Sequence, residues 1–409
     1  MTTRTSFYRS VFKRRTTALV PTHHRTPAHL DRQRIRRIIV SDLHLSNGTR
    51  YEENLVGNTF SEFLSIYINH SEPIELVLAG DTFELLQVFP GGIDGTAWSE
   101  DLAVRRMQIV FAYHTTVLVS LRSFLAAPQH RLVILIGNHD FELHYHGVQL
   151  YIAAALGLAP GDERLCFATS YRGPGFALVH GNQFEPWDGF TYFAGITAPF
   201  EVVRGTQLVR EVLNPIKLDP LEFAPLLEHT CPHTHFLQHL LSPAQRRNPV
   251  VWRYLNRTLC YSLRVLLPRP PRYVLDNPAD APTDPLITRP TFTRADWSRS
   301  FIELVAEAIQ RIAGLPEFHD TAVFVCGHTH QAGSTPLGDE RVYLNTGTWT
   351  PRIYDLPTMR REERRYPFVE ISYPDHTDRP DARLLVWCGA DAPPIPWEAL
   401  TPQPLPVGL

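Results

Sequence analysis

The stretch Arg-Leu-Val-Ile-Leu-Ile-Gly-Asn-His-Asp, residues 131–140, joins an apolar run to a polar turn. The run 131–136 has the length and composition of a strand that is buried on both faces of a sheet. Asn138, His139 and Asp140 follow a glycine, at the point where the chain leaves the strand. In open α/β folds, this edge of the sheet is where binding sites form. The stretch therefore predicts a buried strand that ends in a polar site.

Four other segments have the same arrangement of an apolar run followed at once by polar residues. The runs are 34–40, 74–79, 176–179 and 322–326. The polar segments after them are Asp42-Leu43-His44, Gly80-Asp81, His180-Gly181-Asn182 and Gly327-His328-Thr329-His330. Apolar residues at helical spacing predict helices at 100–124 and 148–156, and further strands are expected at 342–344, 368–372 and 384–387. Strand and helix alternate, which predicts the α/β class.

The polar residues of these five segments are of types that bind metal ions. Residues i and i+2 of an extended strand point to the same side, so Asp42 and His44 are predicted to reach one metal, and likewise the two histidines of the last segment. The candidate ligands are Asp42, His44, Asp81, Asn138, His180, His328 and His330. Mixed imidazole and carboxylate ligands suit Mn, Fe, Zn or Co better than calcium. Each segment alone also fits a turn or a surface histidine, but their joint occurrence in order favours a metal site.

The five segments resemble the five metal-binding motifs of the calcineurin-like metallophosphoesterase superfamily. The resemblance covers about residues 35–185 and 300–350. It implies a four-layer α/β-β/α sandwich of two mixed sheets, with two divalent metal ions, Mn²⁺ being expected first and Fe, Zn or Co as alternatives. It further implies that Asp42, His44, Asp81 and His330 hold one metal. The second metal would be held by Asp81, which bridges both, together with Asn138, His180 and His328.

The resemblance also implies a reaction. A hydroxide that bridges two metal ions attacks phosphorus, so the expected enzyme hydrolyses a phosphate ester or a pyrophosphate. In the family, the histidine at the position of His139 contacts the substrate and protonates the leaving group. Such a histidine needs a carboxylate that holds its tautomer. Glu84 occupies the place of that carboxylate in related enzymes, and Asp140 is the other candidate, although a loop-capping role for Asp140 is preferred.

The sequence does not identify a single substrate. Residues 41–46, 80–84 and 137–141 are similar to the UDP-2,3-diacylglucosamine pyrophosphatases, which cleave a lipid-linked nucleotide sugar. Those enzymes are much shorter and usually have arginine where His139 stands, and the segment 345–349 is similar instead to uncharacterised bacterial metallophosphoesterases. We therefore expect a phosphorylated small molecule or a lipid-linked substrate. A catalytically silent binding scaffold is the alternative from another class, but such relatives typically lose a ligand or the motif histidine.

Composition divides the 409 residues into five parts. We expect a basic disordered tail (1–33), the first part of the catalytic core (34–189), a mainly helical insertion that could cap the site (190–298), the second part of the core (299–389) and a proline-rich tail (390–409). An organelle transit peptide is the alternative for the first tail. Helices are expected at 221–241 and 250–267 in the insertion, and at 301–312 where the core resumes.

Two features of the insertion bear on partners. The predicted helix 250–267 carries three arginines among apolar residues: Arg253, Arg257 and Arg264 among Trp252, Leu255, Leu259, Leu263 and Leu266. A basic amphipathic helix lies on a membrane or, more commonly, packs against its own domain. A dense local cluster could take a further zinc ion, but its spacing matches no known motif: His229, Cys231, His233, His235 and His239. His144 and His146 are expected near the substrate or at the surface.

Charge and cysteine usage exclude some classes. The net charge of −3 argues against a general nucleic-acid binder. Five scattered cysteines without CxxC spacing fit reduced thiols. The sequence shows neither a secretory signal nor an apolar run long enough to span a bilayer. We therefore expect a cytoplasmic protein without a transmembrane segment, with peripheral membrane contact as the alternative.

Overall fold

The computed structural model describes residues 24–25, 35–47, 51–90, 98–196, 201–217, 249–266, 283–338, 340–350, 353–355, 360–361, 365–374 and 379–400. Its strands, numbered β1 to β15 in chain order, are His24–Arg25, Arg36–Val40, Ile74–Ala79, Arg131–Leu135, Leu165–Ala168, Ser170–Gly173, Phe176–Val179, Val323–Cys326, Gly333–Pro336, Val342–Asn345, Ile353–Asp355, Arg360–Arg361, Tyr366–Ser372, Asp381–Trp387 and Ile395–Pro396. Its α-helices are Tyr51–Ile68, Glu100–Tyr113, Thr115–Ala126, His146–Ala155, Arg204–Leu208, Asn214–Lys217, Pro249–Leu266 and Phe301–Ala313. A π-helical turn, Val209–Leu213, joins the fifth helix to the sixth.

The first sheet has the strand order β15-β14-β13-β2-β3-β4-β5. Strands β2 to β5 run parallel, whereas β13, β14 and β15 are antiparallel to their neighbours. All six residues of Ile74–Ala79 are buried, as expected for a central parallel strand that is covered on both faces. The parallel register brings the carboxyl ends of β2, β3 and β4 to one edge of this sheet.

The second sheet has the order β1-β6-β7-β8-β10-β9 and is also mixed. Strands β7, β8 and β10 are parallel, β6 pairs antiparallel with β7, and β9 pairs antiparallel with β10. At the other edge, β1 pairs parallel with β6. The two sheets pack face to face through a shared apolar core, to which the first contributes Val77 and Leu135 and the second Leu178 and Val325. Helices cover the outer faces. Helix Tyr51–Ile68 packs in one apolar cluster with the first sheet, and helix Phe301–Ala313 belongs to the same cluster, which also contains Ala177 and Phe324 of the second sheet.

The predicted α/β fold with two mixed sheets is therefore confirmed. The observed strands Ile74–Ala79 and Phe176–Val179 have the predicted bounds, and the other predicted strands differ by a few residues at their ends. The predicted helices at 148–156, 250–267 and 301–312 are observed as His146–Ala155, Pro249–Leu266 and Phe301–Ala313. The helix Tyr51–Ile68 was not predicted from the sequence.

The predicted helix at 100–124 is wrong as a single element. Two helices, Glu100–Tyr113 and Thr115–Ala126, meet at an angle of 92°. Between them, buried His114 has φ −95° and ψ 51°, outside the helical region. The bend keeps apolar residues of both helices, such as Met107 and Leu121, in the core. Within the described part of the chain, no single helix is long and apolar enough to cross a membrane; only this bent pair, taken together, has that length and composition.

The described parts of the predicted insertion contact the core next to β7. Gln183 donates a hydrogen bond from Nε2 to the carbonyl of Ile287 (2.7 Å), and Ser170 donates one to Asp284 (2.9 Å). The predicted helix 221–241 and the cluster His229, Cys231, His233, His235 and His239 lie outside the described residues. Of the predicted N-terminal tail, only His24–Arg25 is described, paired with β6.

Candidate metal site

The candidate ligands lie just beyond the carboxyl ends of five strands. Asp42 follows β2, Asp81 follows β3, Asn138 follows β4, His180 follows β7 and His328 follows β8. The first three strands belong to the first sheet and the other two to the second, so the site lies where the edges of both sheets meet. The structure places the nine residues that the sequence singled out in one region: Asp42, His44, Asp81, Glu84, Asn138, His139, His180, His328 and His330.

The backbone at this edge is left-handed rather than extended. Asp42 and His44 have φ of 52° and 47°, and His328 and His330 have φ of 66° and 56°. The prediction that an extended strand would align each pair is therefore wrong, because β2 ends at residue 40 and β8 at residue 326. Left-handed backbone costs a non-glycine residue roughly 1–2 kcal/mol and gathers at functional sites.

One ligand group contains Asp42, His44 and His330. Nε2 of His44 lies 3.0 Å from Nε2 of His330, and the latter atom lies 3.3 Å from Oδ1 of Asp42. One potential ligand atom from each of the three residues falls within 4.8 Å of the others. This spacing suits donors that share one ion, and it contains three of the four residues predicted for the first metal.

A second ligand group contains Asp81, His180 and His328, all of them buried. Nε2 of His180 lies 3.2 Å from Oδ2 of Asp81, because its Nδ1–H donates to the carbonyl of Ala79 (3.0 Å) and fixes the ring. The other carboxylate oxygen of Asp81 accepts a hydrogen bond from the backbone N–H of His139 (2.8 Å). Three of the four residues predicted for the second metal are therefore adjacent.

Two glycines allow this close packing. A Cβ atom at residue 137 would lie 2.1 Å from Oδ1 of Asp81. A Cβ atom at residue 80, where φ is +93°, would lie 2.4 Å from Nδ1 of His180. Real Cβ atoms do not approach other atoms so closely, so a larger residue at Gly137 or Gly80 would displace a candidate ligand.

An unsatisfied polar atom indicates that the residues fit a cation. Oδ1 of Asn138 is buried and has no hydrogen-bond partner among the described residues. More than nine in ten buried polar groups in proteins have a partner, so this orphan needs an explanation. An amide oxygen offers lone pairs only, and a divalent cation beside it would satisfy them.

The electrostatics of the site favour cations. Burial alone would raise the pKa of Asp81, but His180 and His139 lower that pKa well below its usual range. The pKa of Asp42 is likewise lowered by His180 and His330 against the effect of burial. Both carboxylates therefore stay ionised at neutral pH, and they concentrate negative charge at the edge of the sheets.

The histidines differ in their protonation. Burial lowers the pKa of His328 to about 4, so its ring is neutral and able to bind a metal. Burial would also lower the pKa of His180, but Asp81 and Asp42 raise that pKa to about 9. Because metal ions bind only the unprotonated ring, an ion at His180 would displace this proton.

Glu84 contacts two histidines with one oxygen. Its Oε2 lies 2.7 Å from Nδ1 of His139 and 3.2 Å from Nδ1 of His44. Burial would raise the pKa of Glu84, but the two histidines lower it to about 2. The pKa of His139 is in turn raised well above its usual value by Glu84 and Asp81, against the effect of burial. Glu84 therefore orients a candidate ligand as well as the candidate acid.

Asp140 makes the contacts of a loop cap. Its Oδ1 accepts a hydrogen bond from the N–H of Gly137 (2.7 Å), and its Oδ2 accepts from those of Thr82 (2.9 Å) and Phe83 (3.3 Å). These bonds tie the loop after β4 to the loop after β3. The geometry favours the loop-capping alternative, with Glu84 as the carboxylate next to His139.

The end of β10 and the segment after it support Asp42. Ser41 lies between the carboxylate of Asp42 and the hydroxyl of Thr346, which is 2.5 Å from the serine oxygen. Thr348 donates a hydrogen bond to the carbonyl of Asp42 (2.8 Å), and Asn345 donates one to the carbonyl of Gly327 (2.8 Å). This segment therefore helps to hold Asp42 in its left-handed conformation.

Two buried acids, Glu185 and Asp188, were not predicted from the sequence. Together with His328 they form a group in which potential ligand atoms lie within 4.8 Å of one another. They occur in the segment that follows His180, outside every motif, so no pattern marked them. The predicted neighbours His144 and His146 are different: His144 packs against the ring of Phe193, and His146 is exposed.

No protein-family model matches the sequence, and no curated protein matches it. Among solved structures, the chain is similar to a dimetal phosphatase from Danio rerio, with 13% sequence identity and a TM-score of 0.34. That alignment covers 89% of this chain and 98% of the other.

Proposed function

We propose that the protein is a metal-dependent hydrolase that cleaves a phosphate ester or a pyrophosphate with two divalent ions. The observation that carries the proposal is the meeting of two ligand groups at one edge, Asp42, His44 and His330 beside Asp81, His180 and His328. Oδ1 of Asn138, buried and without a hydrogen-bond partner among the described residues, is the proposed fourth ligand of the second group. Imidazoles and carboxylates together are the ligands of Mn, Fe, Zn or Co, and Mn²⁺ is the first ion to test.

The proposed ligands are those that the sequence suggested. Asp42, His44, Asp81 and His330 would hold one ion, and Asp81, Asn138, His180 and His328 the other. Two ions there would supply positive charge for a phosphoryl group and would acidify the attacking water. The protein itself contributes two ionised, buried aspartates that hold the ions, and a glycine-lined edge that keeps the donors close together.

His139 is the proposed proton donor. Because Nδ1 of His139 contacts Glu84, the other ring nitrogen is the one available to a leaving group. The raised pKa of His139 keeps the ring protonated at neutral pH, as a general acid requires. A histidine in this role typically accelerates the reaction about 10²- to 10⁴-fold.

Metal analysis and turnover test the proposal together. The purified protein should take up two Mn²⁺ ions per chain and hydrolyse at least one of p-nitrophenyl phosphate, bis-p-nitrophenyl phosphate or a nucleoside-diphosphate sugar. Asp81→Asn should lose turnover about 10²-fold or more and keep its circular dichroism spectrum, because the substitution removes a ligand charge while it preserves shape. Uptake of less than one ion per chain would favour a silent scaffold instead.

One observation favours a second candidate, a membrane-associated enzyme that acts on a lipid-linked pyrophosphate. Helix Pro249–Leu266 buries Val251 and Tyr261 but exposes Trp252 (60%), Leu259 (58%) and Leu263 (53%). Exposed Arg253 and Arg257 lie beside these apolar side chains, and the helix contains no acidic residue. An apolar face flanked by arginines suits the surface of an anionic membrane.

Sedimentation with vesicles tests this candidate. The protein should bind phosphatidylglycerol vesicles more strongly than phosphatidylcholine vesicles. The triple substitution Trp252→Ser, Leu259→Ser and Leu263→Ser should abolish binding, since it removes the exposed apolar surface. Val119→Ser is the matched control, because Val119 is 57% exposed on a different helix. Failure of the protein to bind either vesicle would exclude the candidate.

A further inference from the structure

The carboxylate of Glu185 is fixed next to the site. Glu185 is completely buried. Its Oε2 accepts a hydrogen bond from the N–H of Trp187 (2.7 Å), and its Oε1 accepts one from the N–H of Asp188 (2.7 Å). Both oxygens are therefore oriented by backbone that follows directly in sequence. Each carboxylate oxygen has a second lone pair, so Oε1 can still accept one further hydrogen bond.

His328 presents a ring nitrogen to this oxygen. Nε2 of His328 lies 3.3 Å from Oε1 of Glu185. This nitrogen is buried and has no hydrogen-bond partner of good geometry among the described residues. The ring is packed by Phe301, which stacks on it at 5.8 Å between centroids, and by His180, which meets it edge-on at 5.3 Å. Only 8% of His328 is exposed, so water has little access to the ring.

We propose that Glu185 is a positioning residue for His328; this inference rests on the metal site proposed above. The neutral imidazole has one proton and one lone pair. If Nε2 carries the proton and faces Oε1 of Glu185 at 3.3 Å, the lone pair is on Nδ1, which is then the nitrogen that binds the second ion. A carboxylate that faces the non-ligating nitrogen of a metal-binding histidine fixes the tautomer and orientation of the ring and makes the histidine a stronger ligand.

Glu185 thereby parallels Glu84 on the other side of the site. Glu84 faces Nδ1 of His44, and the Nε2 of that histidine points to Asp42 and His330. Each ligand group therefore contains one histidine whose ring nitrogen faces the carboxylate of a buried glutamate. The two histidines differ in the nitrogen that the glutamate faces, which is Nδ1 in His44 and Nε2 in His328.

Metal titration of the metal-free protein tests the proposal without any assay of turnover. The wild type should bind two Zn²⁺ ions by calorimetry. Glu185→Ala should weaken one of the two steps about 10- to 100-fold, which is the usual effect of losing such a carboxylate. Glu185→Gln should weaken that step less, since its amide oxygen still accepts a hydrogen bond. Equal affinities in the wild type and Glu185→Ala would overturn the proposal.

Glu201 provides a matched control. Its carboxylate also accepts two backbone hydrogen bonds, from Thr191 (2.8 Å) and Tyr192 (3.2 Å), but it faces no candidate ligand. Glu201→Ala should therefore leave both Zn²⁺ affinities unchanged. If Glu185→Ala does not fold, Glu185→Gln against Glu201→Gln carries the test, and equal affinities in that pair would overturn the proposal.

A crystal structure of the zinc-loaded wild type gives a second readout. Zinc on Nδ1 of His328 with Nε2 hydrogen-bonded to Glu185 is the expected result. Zinc on Nε2, or zinc bound directly by Glu185, would overturn the positioning role while leaving the proposed hydrolase intact. A wild type that binds no zinc would instead overturn the proposed function, so the two failures are distinguishable.

Discussion

Oε2 of Glu84 lies 2.7 Å from Nδ1 of His139. The same oxygen also lies 3.2 Å from Nδ1 of His44, so one buried carboxylate connects the candidate proton donor to a candidate metal ligand. Changes at Glu84 should therefore weaken metal binding and proton transfer together, whereas changes at His139 should act mainly on proton transfer. This difference separates the first two predictions.

Substitution of His139 should matter most for substrates with poor leaving groups. A general acid contributes about 10²- to 10⁴-fold when the leaving oxygen needs a proton. His139→Asn should therefore lower kcat by about that factor for an alkyl phosphate ester and much less for a p-nitrophenyl ester, whose phenolate leaves unprotonated. Steady-state kinetics on both esters measure the difference, and equal losses would remove His139 from proton transfer.

Substitution of Glu84 should lower both turnover and metal affinity. Glu84→Gln keeps the shape of the side chain but removes the charge that raises the pKa of His139 and orients His44. We expect about a 10- to 100-fold loss of affinity for one ion, measured by calorimetry, and reduced kcat even at saturating metal. Glu201→Gln is the control, because the Glu201 carboxylate accepts bonds from Thr191 and Tyr192 and should leave metal affinity unchanged; a Glu84→Gln protein with wild-type affinity contradicts the shared role.

Much of the fold was predictable because apolar runs encode buried strands directly. Ile74–Ala79 and Phe176–Val179 were predicted with their observed bounds, since each run ends at a polar or glycine-containing segment. The bend at His114 was not predictable, because apolar spacing continues through it at helical period and only packing in three dimensions decides where a helix turns. Tyr51–Ile68 was missed even though it packs on the first sheet.

The candidate site was predictable in its residue types but not in its geometry. The motif residues converge as expected, because carboxyl ends of parallel strands share an edge. Their left-handed backbone was not foreseen, since Asp and His rarely adopt it without tertiary support such as the bond from Asp42 N–H to the carbonyl of Gly80 (3.1 Å). Glu185 lies outside the motifs, and only the folded chain brings it to His328.

A single methyl group at residue 137 should disable the metal site. In Gly137→Ala the new Cβ would lie 2.1 Å from Oδ1 of Asp81 and 2.6 Å from its backbone nitrogen, so Asp81 must move. We expect loss of at least one of the two metal-binding steps in calorimetry. Gly333→Ala is the matched control, since nothing lies within 4 Å of its Cβ position. Unchanged metal binding in Gly137→Ala would exclude Asp81 as a ligand.

Removal of one partner from a buried ion pair of the first sheet should destabilise the protein strongly. Arg37 donates to Oε1 of Glu75 (2.9 Å), and Tyr171 of the second sheet donates to the same oxygen (2.6 Å). Glu75→Ala leaves Arg37 buried without this partner, which typically costs about 3–5 kcal/mol in the free energy of unfolding. Urea denaturation measures it. Arg383→Ala, which removes an exposed partner of Asp381, should change little.

His114 should make stability depend on pH. Burial lowers its pKa to about 4, whereas the unfolded chain has the ordinary value of 6.5. Between these values the unfolded state binds more protons at this residue, so the contribution of His114 to the free energy of unfolding rises as pH increases from about 4 to 6.5 and is then constant. The shift of about 2.5 units corresponds to roughly 3 kcal/mol. His114→Gln should remove this part of the slope in urea denaturation at several pH values, whereas His146→Gln, at an exposed position, should keep it. An identical slope in His114→Gln and the wild type would show that the pKa of His114 is the same in the folded and unfolded chain.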